Sequence, residues 1–147
     1  MKPYRILITG SRTWEDVRTL RGALNDVLTG LPNLATPVIV VHGDCPHGAD
    51  RQASVWVRDA QRGPLWVVTE EKHPAKGHPT EDFGPWPGAG PRRNAHMVRR
   101  GADLVLAFIG PCTSPRCRRT DPHPSHGASG CADLAEQASI ETRRFTL

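Results

Sequence analysis

The chain has 147 residues, of which 37% are hydrophobic and 23% charged, with a formal net charge of +4. No apolar run approaches the roughly 18 residues of a membrane-spanning helix. One soluble domain over residues 1–147, large enough to bury a real core, is the expectation. Four cysteines (Cys45, Cys112, Cys117 and Cys131) and a start, Met1-Lys2-Pro3-Tyr4-Arg5, that leads straight into a strand-like run argue against secretion and a disulfide framework. A cytoplasmic location is expected.

The positive charge is mostly arginine; the lysines are Lys2, Lys72 and Lys76. Arginine grips phosphate with a planar fork. The same skew also follows from a GC-rich genome, which favours Arg, Ala, Gly and Pro together.

In chain order, Tyr4 to Thr9 reads as a strand ending at Gly10. Thr13 reads as an N-cap with Asp16 three residues on, before Val17, Leu20, Leu24, Val27 and Leu28 at helical spacing. Gly30 and Pro32 stop that helix. Val38–Val41 is a second strand, ending at His42-Gly43. A helix from about Gly48 carries Ala49, Ala53, Trp56, Val57 and Ala60 on one face. Leu65 to Val68 reads as the third strand, and 71–91 as a long loop rich in Pro, Gly and His. Arg92 to Arg100 reads as a short helix, Asp103 to Ile109 as the most hydrophobic strand and Gly110 to His126 as a second long loop. Gly127 to Ala138 is a helix with Leu134, Ala135 and Ala138 inward, and Glu141 to Phe145 a half-exposed final strand. This alternation predicts an α/β, Rossmann-like three-layer sandwich with a doubly wound, mostly parallel five-stranded sheet. Ligands of such sheets sit at the carboxyl ends of the strands.

Four turns fall on that edge. Gly10-Ser11-Arg12 offers close backbone approach, a hydroxyl and a guanidinium. In His42-Gly43-Asp44-Cys45-Pro46-His47-Gly48-Ala49-Asp50, small residues at a helix start leave N–H groups facing an anion. There Asp50 either caps the helix or accepts from a ribose hydroxyl, and Cys45 reads as a packed thiol. Arg92-Arg93-Asn94 suits phosphate oxygens and a base or ribose. Ser125-His126-Gly127-Ala128-Ser129 makes a last cradle. Each has a plain alternative: an ordinary turn, a solvated charged helix start, a Ser cap. No Walker A sequence, no GxGxxG in the right context and no HExxH occur, which sets aside P-loop, dinucleotide dehydrogenase and zincin chemistry.

Taken together, ILITGSRTW at 6–14, VVHGDCPHGADRQA at 40–53, AGPRRNAHM at 89–97, GADLVLAF at 101–108 and SHGASGCADLAEQASI at 125–140 resemble the SLOG superfamily, most closely its YspA-like, cpYpsA-related branch. The resemblance implies a Rossmann-like fold, a nucleotide-type ligand and frequent homo-oligomers. It also implies that Gly10, Ser11 and Arg12, then Gly43, Gly48, Ala49 and Asp50, then Arg93 and Asn94, and finally Gly127 and Ala128 line the site. Relatives include phosphoribohydrolases of the LOG type, sensors of signalling nucleotides and the single-stranded-DNA-binding DprA. LOG enzymes carry a glutamate shortly after their last glycine-rich turn; here no acid follows until Asp133. N-glycoside cleavage needs a carboxylate, and nothing in the sequence positions Asp44, Asp50 or Glu70 for it. A binding, carrying or sequestering role is therefore the leading expectation, with a nucleotide hydrolase as the alternative. DNA binding comes third. Arg92, Arg93, Arg99, Arg100, Arg116, Arg118 and Arg119 supply charge, but exposed aromatics interleaved with them are scarce apart from Trp86 and Trp14.

The second loop holds Cys112-x4-Cys117-x5-His123-x2-His126, with Cys131 further on. A structural zinc there would order a Pro/Arg-rich loop. Cys112, Cys117 and His123 are the first candidate ligands. His126 is either the fourth or faces the nucleotide, and Cys131 is either near the set or simply packed. His73 and His78 read as exposed loop histidines.

Overall fold

A computed structural model of the chain describes residues 1–75 and 83–147. Five strands alternate with four helices: β1 (Tyr4–Gly10), α1 (Val17–Thr29), β2 (Val38–His42), α2 (Gly48–Arg62), β3 (Val68–Lys72), α3 (Ala89–Arg100), β4 (Leu104–Ile109), α4 (His126–Gln137) and β5 (Glu141–Thr146). The sheet order is β3-β2-β1-β4-β5, and every pairing is parallel. The expected α/β, doubly wound architecture is what forms.

Side-chain alternation along the strands divides the core in two. Ile6, Ile8, Val38, Val40, Leu104, Leu106 and Phe108 pack under α1 and α2, with Leu20, Leu24, Ala53 and Trp56. On the opposite face, Leu7, Val41 and Val105 meet Met97 and Val98 of α3 and Cys131 and Ala135 of α4. The strand order turns back between β1 and β4, so the segments leaving those two strands diverge to opposite faces.

Three local expectations are corrected. Thr13 does not cap α1: Asp16 does, its carboxylate accepting from the Thr19 backbone N–H and from the Thr19 hydroxyl. The third strand begins three residues later than its apolar run suggests. Leu65 and Val67 are exposed, Trp66 leaves the run to stack on Trp56 with ring centroids 6.0 Å apart, and β3 is the polar Val68-Thr69-Glu70-Glu71-Lys72. On α4 the buried stripe is Ala128, Cys131, Ala132 and Ala135; Leu134 and Ala138 point to solvent. Among the described residues, no helix is long and apolar enough to cross a membrane.

Candidate functional site

The turn after β1 is built by close packing. A Cβ at Gly10 would collide with the Cβ of Ala49, and one at Gly48, where φ is +71°, would collide with the Ser11 carbonyl and the Arg12 backbone. Gly10, Gly48 and Ala49 thus let α2 begin against the β1 turn. Ser11 is buried. Its backbone N–H donates to the Phe108 carbonyl at 3.0 Å, and its hydroxyl oxygen accepts from the Gly110 N–H at 2.8 Å. Ser11 ties the ends of β1 and β4 together at the point where strand order reverses. Arg12, one residue on, is exposed and lays its guanidinium 4.8 Å from the centre of the Trp86 ring.

At the end of β2, the backbone N–H of Asp44 donates to His42 Nδ1 at 2.9 Å. That leaves the ring proton on Nε2, which faces Glu70 Oε1 at 2.5 Å. The register sets Glu70 opposite Val40, so the carboxylate lies on the same sheet face as the fully buried His42. Burial pushes the Glu70 carboxyl up, but hydrogen bonds from His42 and Ser54 outweigh it and leave the group below its ordinary range. Asp44 itself adopts a left-handed conformation (φ 55°), tolerated by a short polar side chain, and its carboxylate lies 3.9 Å from the Lys72 ammonium.

Asp50 sits in the first turn of α2 and is buried. Its Oδ2 accepts from the Cys45 N–H at 3.1 Å, and Gly43 supplies a further backbone bond. Burial raises this carboxyl, against the opposing pull of His42, those N–H groups and Arg93. Arg93 reaches across from α3. Nη1 donates to the carbonyls of Gly43 at 2.6 Å and His73 at 3.1 Å, and Nε donates to Asn94 Oδ1 at 2.7 Å. Burial lowers the guanidinium's pKa, with Asp50 the leading counterweight. Arg93 therefore both fixes the two loops and brings a desolvated positive charge to the edge of the sheet.

Between these turns lies a cavity of about 350 Å³. It is lined by Arg12 and Trp86, by Gly43 to His47, and by Pro74 and Arg93. A neighbouring hollow of about 340 Å³ shares Asp44, Cys45 and Pro46 as a common wall and adds Asp50, Arg51, Ser54, Arg58 and Lys72. Of the residues expected at the site, Arg12, Gly43, Asp44 and Arg93 line the first cavity and Asp50 the second. Gly10, Ser11, Gly48 and Ala49 lie behind the wall as packing. Asn94 is buried and spans from Arg93 toward the Gly127 carbonyl, with Nδ2 at 3.5 Å from it. Ser125 is the residue before α4; its carbonyl accepts from the Ser129 N–H and hydroxyl, while Gly127 is exposed and Ala128 packs inward. Asp133 faces solvent in an ion pair with Arg144.

Sequence reasoning names Glu70 and Trp86 but misses their partners: the pairing of Glu70 with His42 and the stacking of Arg12 on Trp86 at the cavity. No apolar run marks this polar edge strand, and an aromatic in an irregular loop has no period. Trp14, expected to be available for stacking, is instead buried against Phe108 with ring centroids 5.5 Å apart. His73 is not an exposed loop histidine: it is buried, and its Nε2 lies 2.8 Å from Glu71 Oε2. His78 falls outside the described residues.

In the loop before α4, ligand atoms of Cys112, Cys117, His123 and His126 all lie within 4.8 Å of one another, an arrangement that could hold a metal ion. Cys131 stands apart from this set. It is buried in the core beneath α4, and burial pushes its thiol up to about 11.

The sequence profile of the YspA, cpYpsA-related SLOG family matches residues 4–65, which cover β1 through α2 and both tightly packed turns. Gene 61 protein of Mycobacterium phage D29 is 42% identical over 106 residues, covering 71% of this chain and 75% of that protein. No solved structure matches. The chain belongs to the YspA, cpYpsA-related SLOG family.

Proposed function

We propose that the protein binds a phosphate-bearing nucleotide or nucleotide derivative in the cavity between Arg12, Trp86 and the Gly43–His47 turn, as a sensor, carrier or sequestering protein. One observation carries the reading: a guanidinium fork and an indole face stand together in the lining of a cavity at the carboxyl edge of the sheet. The lining also holds the largely desolvated Arg93. Guanidinium suits phosphate oxygens, and an indole suits the π-face of a base. The volume, about 350 Å³, is in the range of small-ligand sites. Zinc, if bound by the cysteine–histidine cluster, serves the loop before α4 in this reading and makes no contact with the nucleotide.

A melting screen against AMP, ADP-ribose, NAD and cyclic dinucleotides tests the proposal. A ligand at a hundred times its dissociation constant stabilises the fold by about 2.7 kcal/mol. One class raising Tm in wild type but not in Arg12→Ala supports the site. No shift with any of them, while short single-stranded DNA or a protein raises Tm, sinks it.

A hydrolytic reading is favoured by one feature. Asp50 is a buried carboxyl on the wall of the second hollow, next to the cavity, and burial raises its pKa, the direction that favours a carboxyl acting as a proton donor. Release of free base or ribose phosphate from a bound nucleotide, lost in Asp50→Asn with binding retained, would establish it.

A further inference from the structure

The loop from Pro111 to Gly127 contains no buried residue. It has no core of its own to offset the entropy of being ordered. Its neck is closed by a bridge between Pro111 and Pro124, by Ser125 N–H donating to the Gly110 carbonyl at 2.9 Å and by Cys112 N–H donating to the His123 carbonyl at 2.8 Å. Beyond these backbone ties and the exposed Arg119–Asp121 ion pair, the side chains of the loop converge on one knot of two thiols and two imidazoles.

The knot has the dimensions of a coordination shell. His123 Nε2 and His126 Nε2 are 3.2 Å apart, and each lies 3.3 Å from Cys117 Sγ. A tetrahedral zinc with Zn–N near 2.05 Å and Zn–S near 2.3 Å implies N–N edges of about 3.4 Å and N–S edges of about 3.6 Å. The three edges match within a few tenths of an ångström. His123 Nδ1 lies 2.7 Å from the Asp121 carbonyl oxygen, which can only accept, so the ring proton is on Nδ1. The Nε2 lone pair then points into the knot, the orientation that an outer carbonyl imposes on metal-ligating histidines.

We propose that Cys112, Cys117, His123 and His126 bind one zinc ion in a closed tetrahedral site that clamps this loop to the first turn of α4. The soft and borderline donors select zinc over magnesium or calcium. Two thiolates neutralise the ion's charge. Four protein ligands leave no open position, so the site is structural and not hydrolytic. His126 is both a ligand and the first residue of α4, and Gly110 at the neck donates to Ser11. The clamp thus fixes the segment that leaves β4 at the reversal of strand order.

Purified full-length protein, dialysed from zinc-buffered solution under reducing conditions, is assayed for metal. The expected content is about one zinc per chain. Cobalt in its place should give the intense visible bands of a tetrahedral ion together with thiolate-to-metal charge transfer. Chelation should open the exposed Arg116, Arg118 and Arg119 to trypsin, and zinc should close them again. Cys112→Ser and His126→Ala should each cut retained metal to below about a tenth, while Cys45→Ser keeps it. If a variant fails to fold, the wild-type cobalt spectrum and the trypsin protection still decide. Absence of retained zinc, an octahedral cobalt spectrum, or a Cys112–Cys117 disulfide in the reduced preparation would overturn the proposal. Arg12→Ala should hold zinc fully, so the outcome is independent of the nucleotide reading.

Discussion

His42 and Glu70 meet across β2 and β3, Nε2 to Oε1 at 2.5 Å, with the histidine ring fully buried and its other nitrogen held by the Asp44 N–H. The pair locks the β2 turn to β3 by satisfying every polar atom of a buried ring. Glu70→Ala leaves the His42 N–H without its acceptor and should cost about 1–3 kcal/mol in urea unfolding. Glu70→Gln keeps an acceptor oxygen and should recover most of that loss. Long-range ¹⁵N spectra should show His42 protonated at Nε2 alone. An unprotonated Nε2 would contradict the arrangement.

Acid sensitivity follows from Glu71, on the other face of β3. A bidentate hydrogen bond from Arg5 leads the causes that hold its pKa down to about 2, and His73 and Arg100 add to it against burial. A depressed carboxyl contributes stability that is fully present above its unfolded value of 4.5 and is lost as pH falls toward about 2. Glu70, also lowered, acts in the same direction, and Asp50, raised, acts against both. Glu71→Gln should destabilise by about 1–3 kcal/mol at neutral pH. The gap from wild type should close as pH drops through the acid range. A gap that stays constant with pH would mean that the Arg5–Glu71 bond carries no linkage.

Legibility in the sequence divides along a physical line. β1, β2 and β4 are buried on both faces and announce themselves as apolar runs. β3 does not, because its two glutamates are matched by His42 and Arg5, residues 28 and 66 positions away. The run that imitates a strand, Leu65 to Val68, is a half-exposed approach held by Trp66 on Trp56. The glycines at positions 10 and 48 are legible as turn residues. Their partners, Ala49 and the Ser11–Arg12 backbone, emerge only when β1 and α2 are brought together. The cysteine–histidine knot is legible because its four members lie within fifteen residues of chain. Trp86 is not, since its meaning depends on Arg12, far away in the chain.

Two glycine substitutions separate packing from propensity. Gly48→Ala must hold a left-handed backbone and push a methyl group into the Ser11 carbonyl. It should cost about 2–4 kcal/mol. Gly130→Ala, inside α4 with nothing within 4 Å of the new Cβ, should instead gain about 0.5–1 kcal/mol. Thermal melts of the two variants read the contrast directly. Equal effects would mean that the close approach of α2 to the β1 turn is not a constraint.

Arg12 and Trp86 separate binding from stability in the same way. Arg12 is exposed, so Arg12→Ala should leave the unliganded Tm nearly unchanged, within about 0.5 kcal/mol. Its effect should fall on the ligand: a charge-assisted bond to phosphate is worth about 1.5–3 kcal/mol, or roughly 10- to 100-fold in Kd. Arg12→Lys keeps the charge but loses the planar fork and its stacking on the indole, so it should recover only part of the affinity. Trp86→Ala removes the stacking face and should weaken nucleotides while leaving inorganic pyrophosphate binding largely intact, because pyrophosphate has no base. Titration calorimetry with the pair of ligands distinguishes the two contributions. Were Trp86→Ala to weaken both ligands equally, the indole would be acting through the position of Arg12 and not through a base, and the ligand's base would have to lie elsewhere in the cavity.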